Sequence, residues 1–182
     1  MRLKWWVLVA AVLFALGFVL GLATPASAIR LFSEEFEALK GLTQILKPFQ
    51  VTTAVFIFLK NVSAVLLSFI FSPIFLLLPL LSLLLNGWLL AFVAVMVTQQ
   101  KSVLYVLAGV LPHGIFEIPA FIVGQAAALS FGTVAILALF GRRDPSHVSA
   151  SLRRNLRYVA VAVVLLAPAA LVETFVTPLL IR

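Results

Sequence analysis

Cysteine is absent from this 182-residue chain, and charged residues make up only 10% of it. The absence of cysteine excludes disulfides, iron–sulfur clusters and thiolate zinc sites. Soluble domains carry about 25% charged residues and about 45–50% apolar ones. With 64% hydrophobic residues, the chain falls outside that class. The composition therefore predicts an integral membrane protein in contact with the lipid bilayer.

Acidic residues are scarce as well, at 6 against 13 basic residues, which gives a net charge of +7. The basic residues fall at the ends of apolar runs, where they orient membrane spans and meet anionic lipid headgroups. We therefore expect no nucleic-acid partner, although the pI of about 10.6 is typical of proteins that bind one.

The N-terminal segment, residues 1–30, has two interpretations. Arg2 and Lys4 precede an apolar run from Trp5 to about Ala23, and small residues follow. This is the order of a secretory signal peptide, with a cleavage site after Ala28 as one interpretation. The run of 19 residues exceeds the usual ~7–15 of a signal core. That length favours a retained signal-anchor helix.

Residues 31–50 hold half of the acidic residues of the chain, Glu34, Glu35 and Glu37. Apolar residues recur among them at spacings of three and four. This pattern predicts a short external amphipathic helix, which either lies at the membrane surface or docks on the bundle.

The remaining apolar stretches predict an all-α, polytopic transmembrane helix bundle of about five spans. The spans are expected near 5–23, 51–72, 74–97, 116–140 and 158–181, with a turn at Pro73. The arginine-rich stretch 141–157 is predicted to be a cytoplasmic loop by the positive-inside rule. The N-terminus is then cytoplasmic, in the plasma membrane. Residues 51–182 form the core of one integral membrane domain spanning 1–182.

The stretch from Val103 to Phe140 is too long for one span and short for two. It contains "LPHGIFEIPAF", Leu111 to Phe121, in which two prolines, a glycine, a histidine and a glutamate interrupt the apolar run. A short element over 103–111, followed by a span from about Phe116, predicts a re-entrant or broken helix. Broken backbone at membrane depth is tolerated only where protein or trapped water satisfies it.

Ionisable residues inside the spans are the candidates for function, since a charge at the bilayer centre costs about 2.5–3.5 kcal/mol. Glu117 and Glu173 are the acids within predicted spans. His113 lies four residues before Glu117, a spacing that puts both on one face of a helix. We expect the two acids to meet away from lipid. The full candidate set comprises Lys60, Asn61, Asn86, His113, Glu117 and Glu173.

Three roles for these residues stay open at this point. They can hydrogen-bond the helices together, form a proton or ion pathway, or serve a metal-dependent intramembrane enzyme. The last is disfavoured because no HExxH motif is present and the second histidine, His147, lies in the basic stretch. The sequence therefore predicts no catalytic residue, no metal and no cofactor.

The stretch "LPHGIFEIPAFIVGQAAALSFG", Leu111 to Gly132, resembles the hallmark of the stage II sporulation protein M family. The segments "FIFLKNVSAVLLSFIFSP", "LLLNGWLLAF" and "LVETFVTPLL" are similar to its other spans. Gln125 departs from the family pattern, which is richer in glycine or alanine there. By position, the family's motif residues correspond to Asn61, Asn86, His113, Glu117 and Glu173.

This resemblance implies a membrane component without catalytic activity. The named member in endospore formers belongs to the machinery that remodels peptidoglycan during engulfment, where it recruits two lytic partners. Relatives also occur in organisms that neither sporulate nor carry such walls. The resemblance therefore does not imply a sporulation role for this chain. We expect a non-enzymatic scaffold that engages a membrane or extracytoplasmic protein, with a homo-oligomer left open. The alternative is a small proton- or ion-coupled transporter or channel.

Overall fold

The computed structural model describes residues 3–25 and 47–181, and every regular element within them is helical. Five helical stretches are long and apolar enough to cross a membrane, which confirms the predicted all-α bundle. The amphipathic helix predicted for residues 31–50 lies outside the described residues except for its last four positions. The elements are α1 (Leu3–Ala23), α2 (Val51–Phe71), α3 (Leu77–Thr98), α4 (Val103–Leu139), α5 (Ser146–Leu171), a π-helical turn (Val172–Val176) and α6 (Thr177–Leu180).

Helix α4 is the centre of the bundle and packs against all the other spans. It runs without interruption for 37 residues, with Pro112 and Pro119 inside it. The expected division into a re-entrant or broken element at 103–111 and a separate span is therefore wrong. Each proline removes one backbone donor, and a membrane helix tolerates this loss where side chains, water or local adjustments of the helix satisfy the freed carbonyl.

The C-terminal helix also begins earlier than expected. Helix α5 starts at Ser146, so most of the predicted basic loop 141–157 is helical and only the connection between Leu139 and Ser146 is not. The carboxylate of Asp144 accepts a hydrogen bond from the Ser146 backbone N–H at 2.8 Å. This bond, and a second from the Ser146 side chain, hold the pKa of Asp144 below its ordinary value. The capped helix then continues through the π-helical turn to α6.

Helices α1 and α3 approach each other more closely than side chains normally allow. A Cβ atom on Gly17 would overlap the carbonyl oxygen of Leu84, and one on Gly87 would overlap that of Phe14. Gly21 repeats the arrangement one turn later, against Trp88. Such small-residue contacts replace the hydrophobic driving force that helices lack in lipid.

Helices α2 and α3 form a hairpin around residues 72–76, close to the predicted turn at Pro73. Beyond the turn the two helices contact each other much less than α1 contacts α3, because each packs mainly on other elements. A cleft therefore separates α2 from α3, and part of α4 forms its floor.

Candidate site: a polar cavity at mid-membrane depth

A cavity of about 530 Å³ lies in this cleft, with walls from α1 to α5 and from the π-helical turn. All six candidate residues predicted from the sequence line it. They arrive from four separate elements: Lys60 and Asn61 from α2, Asn86 from α3, His113 and Glu117 from α4, and Glu173 from the π-helical turn. The fold thus gathers into one space polar residues that lie far apart in the sequence.

The cavity lies near the middle of the bundle's thickness. Short connections join successive spans from α2 onward, so Val51, Thr98, Val103 and Leu180 lie at one end of the bundle. At 1.5 Å per residue, the six polar residues lie about 10 to 21 Å from that end. Half of the ~30 Å hydrocarbon layer is about 15 Å. The polar groups therefore lie at the depth where unpaired charge costs most.

His113 connects the two helices that carry the acids. Its Nε2 lies 3.8 Å from Oε2 of Glu117, one turn away on α4. Its Nδ1 lies 3.4 Å from Oγ1 of Thr177, on α6. The Thr177 side chain is buried. In the tautomer with the proton on Nδ1, the ring donates to Thr177 and leaves the Nε2 lone pair facing Glu117.

Glu173 reaches the cavity from the π-helical turn Val172–Val176. π-turns occur as single interruptions of α-helices and are frequent at functional sites. The turn is held from outside by the backbone N–H of Phe49, which donates to the Thr174 carbonyl at 3.2 Å. The segment before α2 is therefore attached directly beside Glu173.

The other polar residues lie near the two acids or at the entrance of the cavity. The Lys60 ammonium interacts electrostatically with both Glu117 and Glu173, and Asn61 lines the cavity beside Lys60. Asn86 donates through Nδ2 to the Ser82 carbonyl at 2.8 Å, a bond that does not use its side-chain oxygen. Lys60 and Asn86 are exposed, at the mouth of the cleft.

Sequence reasoning missed Thr177 as part of this site. Its position four residues after Glu173 places both near one helix face, so the spacing contained the signal. It also missed the role of Gly17 and Gly21, whose spacing of four residues is typical of close helix contacts in membranes. These glycines hold α1 against α3, and Phe14 of α1 closes one wall of the cavity.

One nitrogen or oxygen atom from each of His113, Glu117 and Glu173 can be chosen so that all three lie within 4.8 Å of one another. An imidazole and two carboxylates at this separation can share a proton or bind a cation. The site thus has the chemistry of a cation or proton site, with a lysine beside it.

Comparison with known proteins agrees with the hallmark motif in α4. No curated protein and no solved structure gave a match. The family model for Stage II sporulation protein M matches residues 10–178. This range contains every residue that lines the cavity, and it covers nearly the whole chain. The chain is therefore a multi-pass membrane protein that belongs to the stage II sporulation protein M family.

Proposed function

We propose that this chain is a non-enzymatic component of the plasma membrane that recruits a partner protein within the bilayer, with its N-terminus in the cytoplasm. The observation that supports this proposal is the cleft between α2 and α3. Its entrance exposes Lys60 and Asn86 at a depth where lipid offers them no hydrogen bonds. The parts of the chain described by the structure leave this entrance open.

The physical argument concerns what can cover that entrance. Lipid tails would face a lysine at a cost of about 2.5–3.5 kcal/mol on insertion scales. A transmembrane segment carrying a polar side chain would instead offer hydrogen bonds, each contributing about 0.6–2 kcal/mol within a membrane. Leu89, which lines the cavity and is exposed, provides apolar surface for the same segment. The cleft thus fits a partner's transmembrane helix with a polar residue near its centre.

Photocrosslinking from inside the cleft tests this proposal. A photoreactive amino acid replaces Leu89, which lines the cavity, in cells that express the full chain. The matched control replaces Val164 of α5, which is exposed but does not line the cavity. We expect the photoreactive residue at position 89 to crosslink to one defined membrane protein. The residue at position 164 should crosslink only to lipid. We also expect the Leu89 product to decrease in the Asn86→Leu background.

Two results would contradict partner recruitment. Crosslinks to lipid alone at both positions would mean that the cleft faces the bilayer. A product formed only with a second copy of this chain would assign the cleft to self-association.

Ion- or proton-coupled transport is the second candidate, favoured by the convergence of two carboxylates and an imidazole on one cavity. In liposomes, the wild type would then show cation- or proton-dependent flux, and Glu117→Gln would abolish it while leaving the fold intact. The variant keeps hydrogen-bonding capacity but loses the charge. Absence of flux in the wild type would remove this candidate.

A further inference from the structure

We propose that His113, Glu117 and Glu173 form a binding site for a zinc-class divalent cation inside the membrane. The sequence did not predict a metal, because no HExxH motif is present and the second histidine lies in the basic stretch. Folding adds the third donor, since the π-helical turn directs Glu173 into the same cavity. The inference goes beyond partner recruitment and does not depend on it.

The distances fit a site that closes around an ion. Zinc binds histidine nitrogen and carboxylate oxygen at about 2.0–2.2 Å, which places neighbouring ligands of a tetrahedron about 3.4 Å apart. His113 Nε2 and Glu117 Oε2 are already 3.8 Å apart. One ligand atom from each of His113, Glu117 and Glu173 lies within 4.8 Å of the other two. The side chains must therefore bring these atoms closer by up to about 1.4 Å to reach tetrahedral spacing.

The surroundings of His113 match those of a metal ligand. A metal-binding histidine almost always donates its other ring N–H to a partner that fixes the tautomer and ring orientation. Thr177 Oγ1 is in that position, 3.4 Å from Nδ1, on a side chain only 6% exposed. The bond leaves Nε2, the atom that faces Glu117, available to the ion.

Charge balance also favours a divalent ion. When both carboxyl groups are ionised they carry two negative charges, and the Lys60 ammonium offsets one of them. A divalent cation neutralises both carboxylates directly. Lys60 then competes with the ion, and its long, exposed side chain can move away when the ion binds.

The donor set selects among metals. Imidazole suits zinc and neighbouring transition metals, whereas magnesium and calcium prefer all-oxygen sites. Three protein ligands would leave the fourth position of a tetrahedral site without a protein ligand. A ligand atom from water or from a bound partner can occupy that position.

Zinc titration of the purified full chain in detergent tests the site, after removal of bound metal by a chelator and with an affinity tag that contains no histidine. We expect one zinc ion per chain, detected by calorimetry and by metal analysis after gel filtration. Because the chain has two histidines and no cysteine, the controls are clean. His113→Gln, Glu117→Gln and Glu173→Gln should each lose binding, whereas His147→Gln and Asp144→Asn should retain it.

Two further variants distinguish a metal site from general adsorption. Thr177→Val should weaken zinc binding by about tenfold, as loss of a supporting hydrogen bond does. Lys60→Met should tighten it, because the competing charge is removed. Equal binding by wild type and Glu173→Gln, or no zinc on a wild type that elutes as a single folded species, would overturn the proposal. Partner crosslinking at Leu89 would be unaffected by either result.

Discussion

Single polar side chains in the core illustrate how this membrane protein satisfies hydrogen bonds at the residue scale. Gln125 is fully buried in α4. Its Nε2 donates to Oγ of Ser82 on α3 at 3.3 Å. Its Oε1 has no hydrogen-bond partner among the described residues. The pair therefore links α3 to α4 through one bond while leaving one buried acceptor unused.

Removing one member of this pair should be worse than removing both. Ser82→Ala leaves the Gln125 donor without its partner, so we expect a destabilisation of about 1–3 kcal/mol. The double variant Ser82→Ala with Gln125→Met should recover most of this loss, because no buried polar group remains. Thermal unfolding of both variants in detergent measures the difference. A double variant less stable than Ser82→Ala would contradict this account.

Candidate functional residues could be predicted from the sequence where a polar side chain interrupts an apolar run. Glu117 and Glu173 stand out in this way, because charge is costly at membrane depth. The cost of charge in lipid led us to expect that the two acids meet, but the other walls of their common cavity could not be derived, since no spacing relates residues on separate helices. The hydrogen bond between His113 and Thr177 depends on the same tertiary packing.

At the scale of elements, the contact between α1 and α3 depends on glycine. Gly17 lies against the backbone of Leu84 with no room for a methyl group. Gly109 in α4 provides a comparison, because a Cβ there would meet only Ile181 at an ordinary 3.8 Å. The two positions differ in the room available for a Cβ atom, although both glycines lie inside helices.

The same substitution at these two glycines should therefore have opposite effects. Gly17→Ala forces α1 away from α3, and overpacking of this kind costs about 1–3 kcal/mol. Gly109→Ala should leave stability unchanged or raise it by about 0.5–1 kcal/mol, because alanine favours the helix. The unfolding temperatures of the two purified variants provide the measurement. A similar loss in both would show that α1 and α3 do not pack closely.

Helix boundaries show where sequence reasoning stops at this scale. The turn near Pro73 was predicted because proline lies between two runs of span length. Pro112 and Pro119 carried the same local signal, yet α4 continues through both. Burial does not account for the difference, since Pro119 is exposed and Pro112 is half-buried like Pro73. The local sequence around a proline therefore does not show whether a helix ends there or continues.

At the scale of the whole molecule, the alternation of spans determines which loops share a side of the membrane. The connection around residues 99–102 and the start of α5 lie at opposite ends of the bundle, because α4 runs between them. The positive-inside rule assigns the arginine-rich start of α5 to the cytoplasm. We therefore predict that the connection between α3 and α4 is extracytoplasmic.

Cysteine labelling tests this orientation without interference, because the natural chain has no cysteine. Gln100→Cys should react with a membrane-impermeant maleimide in intact cells, and Ser149→Cys should react only after the membrane is opened. Both positions are exposed in the structure. The reverse labelling pattern would show that the bundle has the opposite orientation, with Lys47 on the cytoplasmic side.

The central claim is that α4 and the π-helical turn bring Glu117 and Glu173 to one cavity, and a distance-limited crosslink tests it most directly. The double variant Glu117→Cys with Glu173→Cys is treated in native membranes with a short bifunctional thiosulfonate, beside a control that pairs Glu117→Cys with Val164→Cys on the exposed face of α5. The account predicts an intramolecular crosslink in the first variant and none in the second. A crosslink in the control pair, or its absence in the Glu117 and Glu173 pair while both cysteines accept single labels, would contradict it.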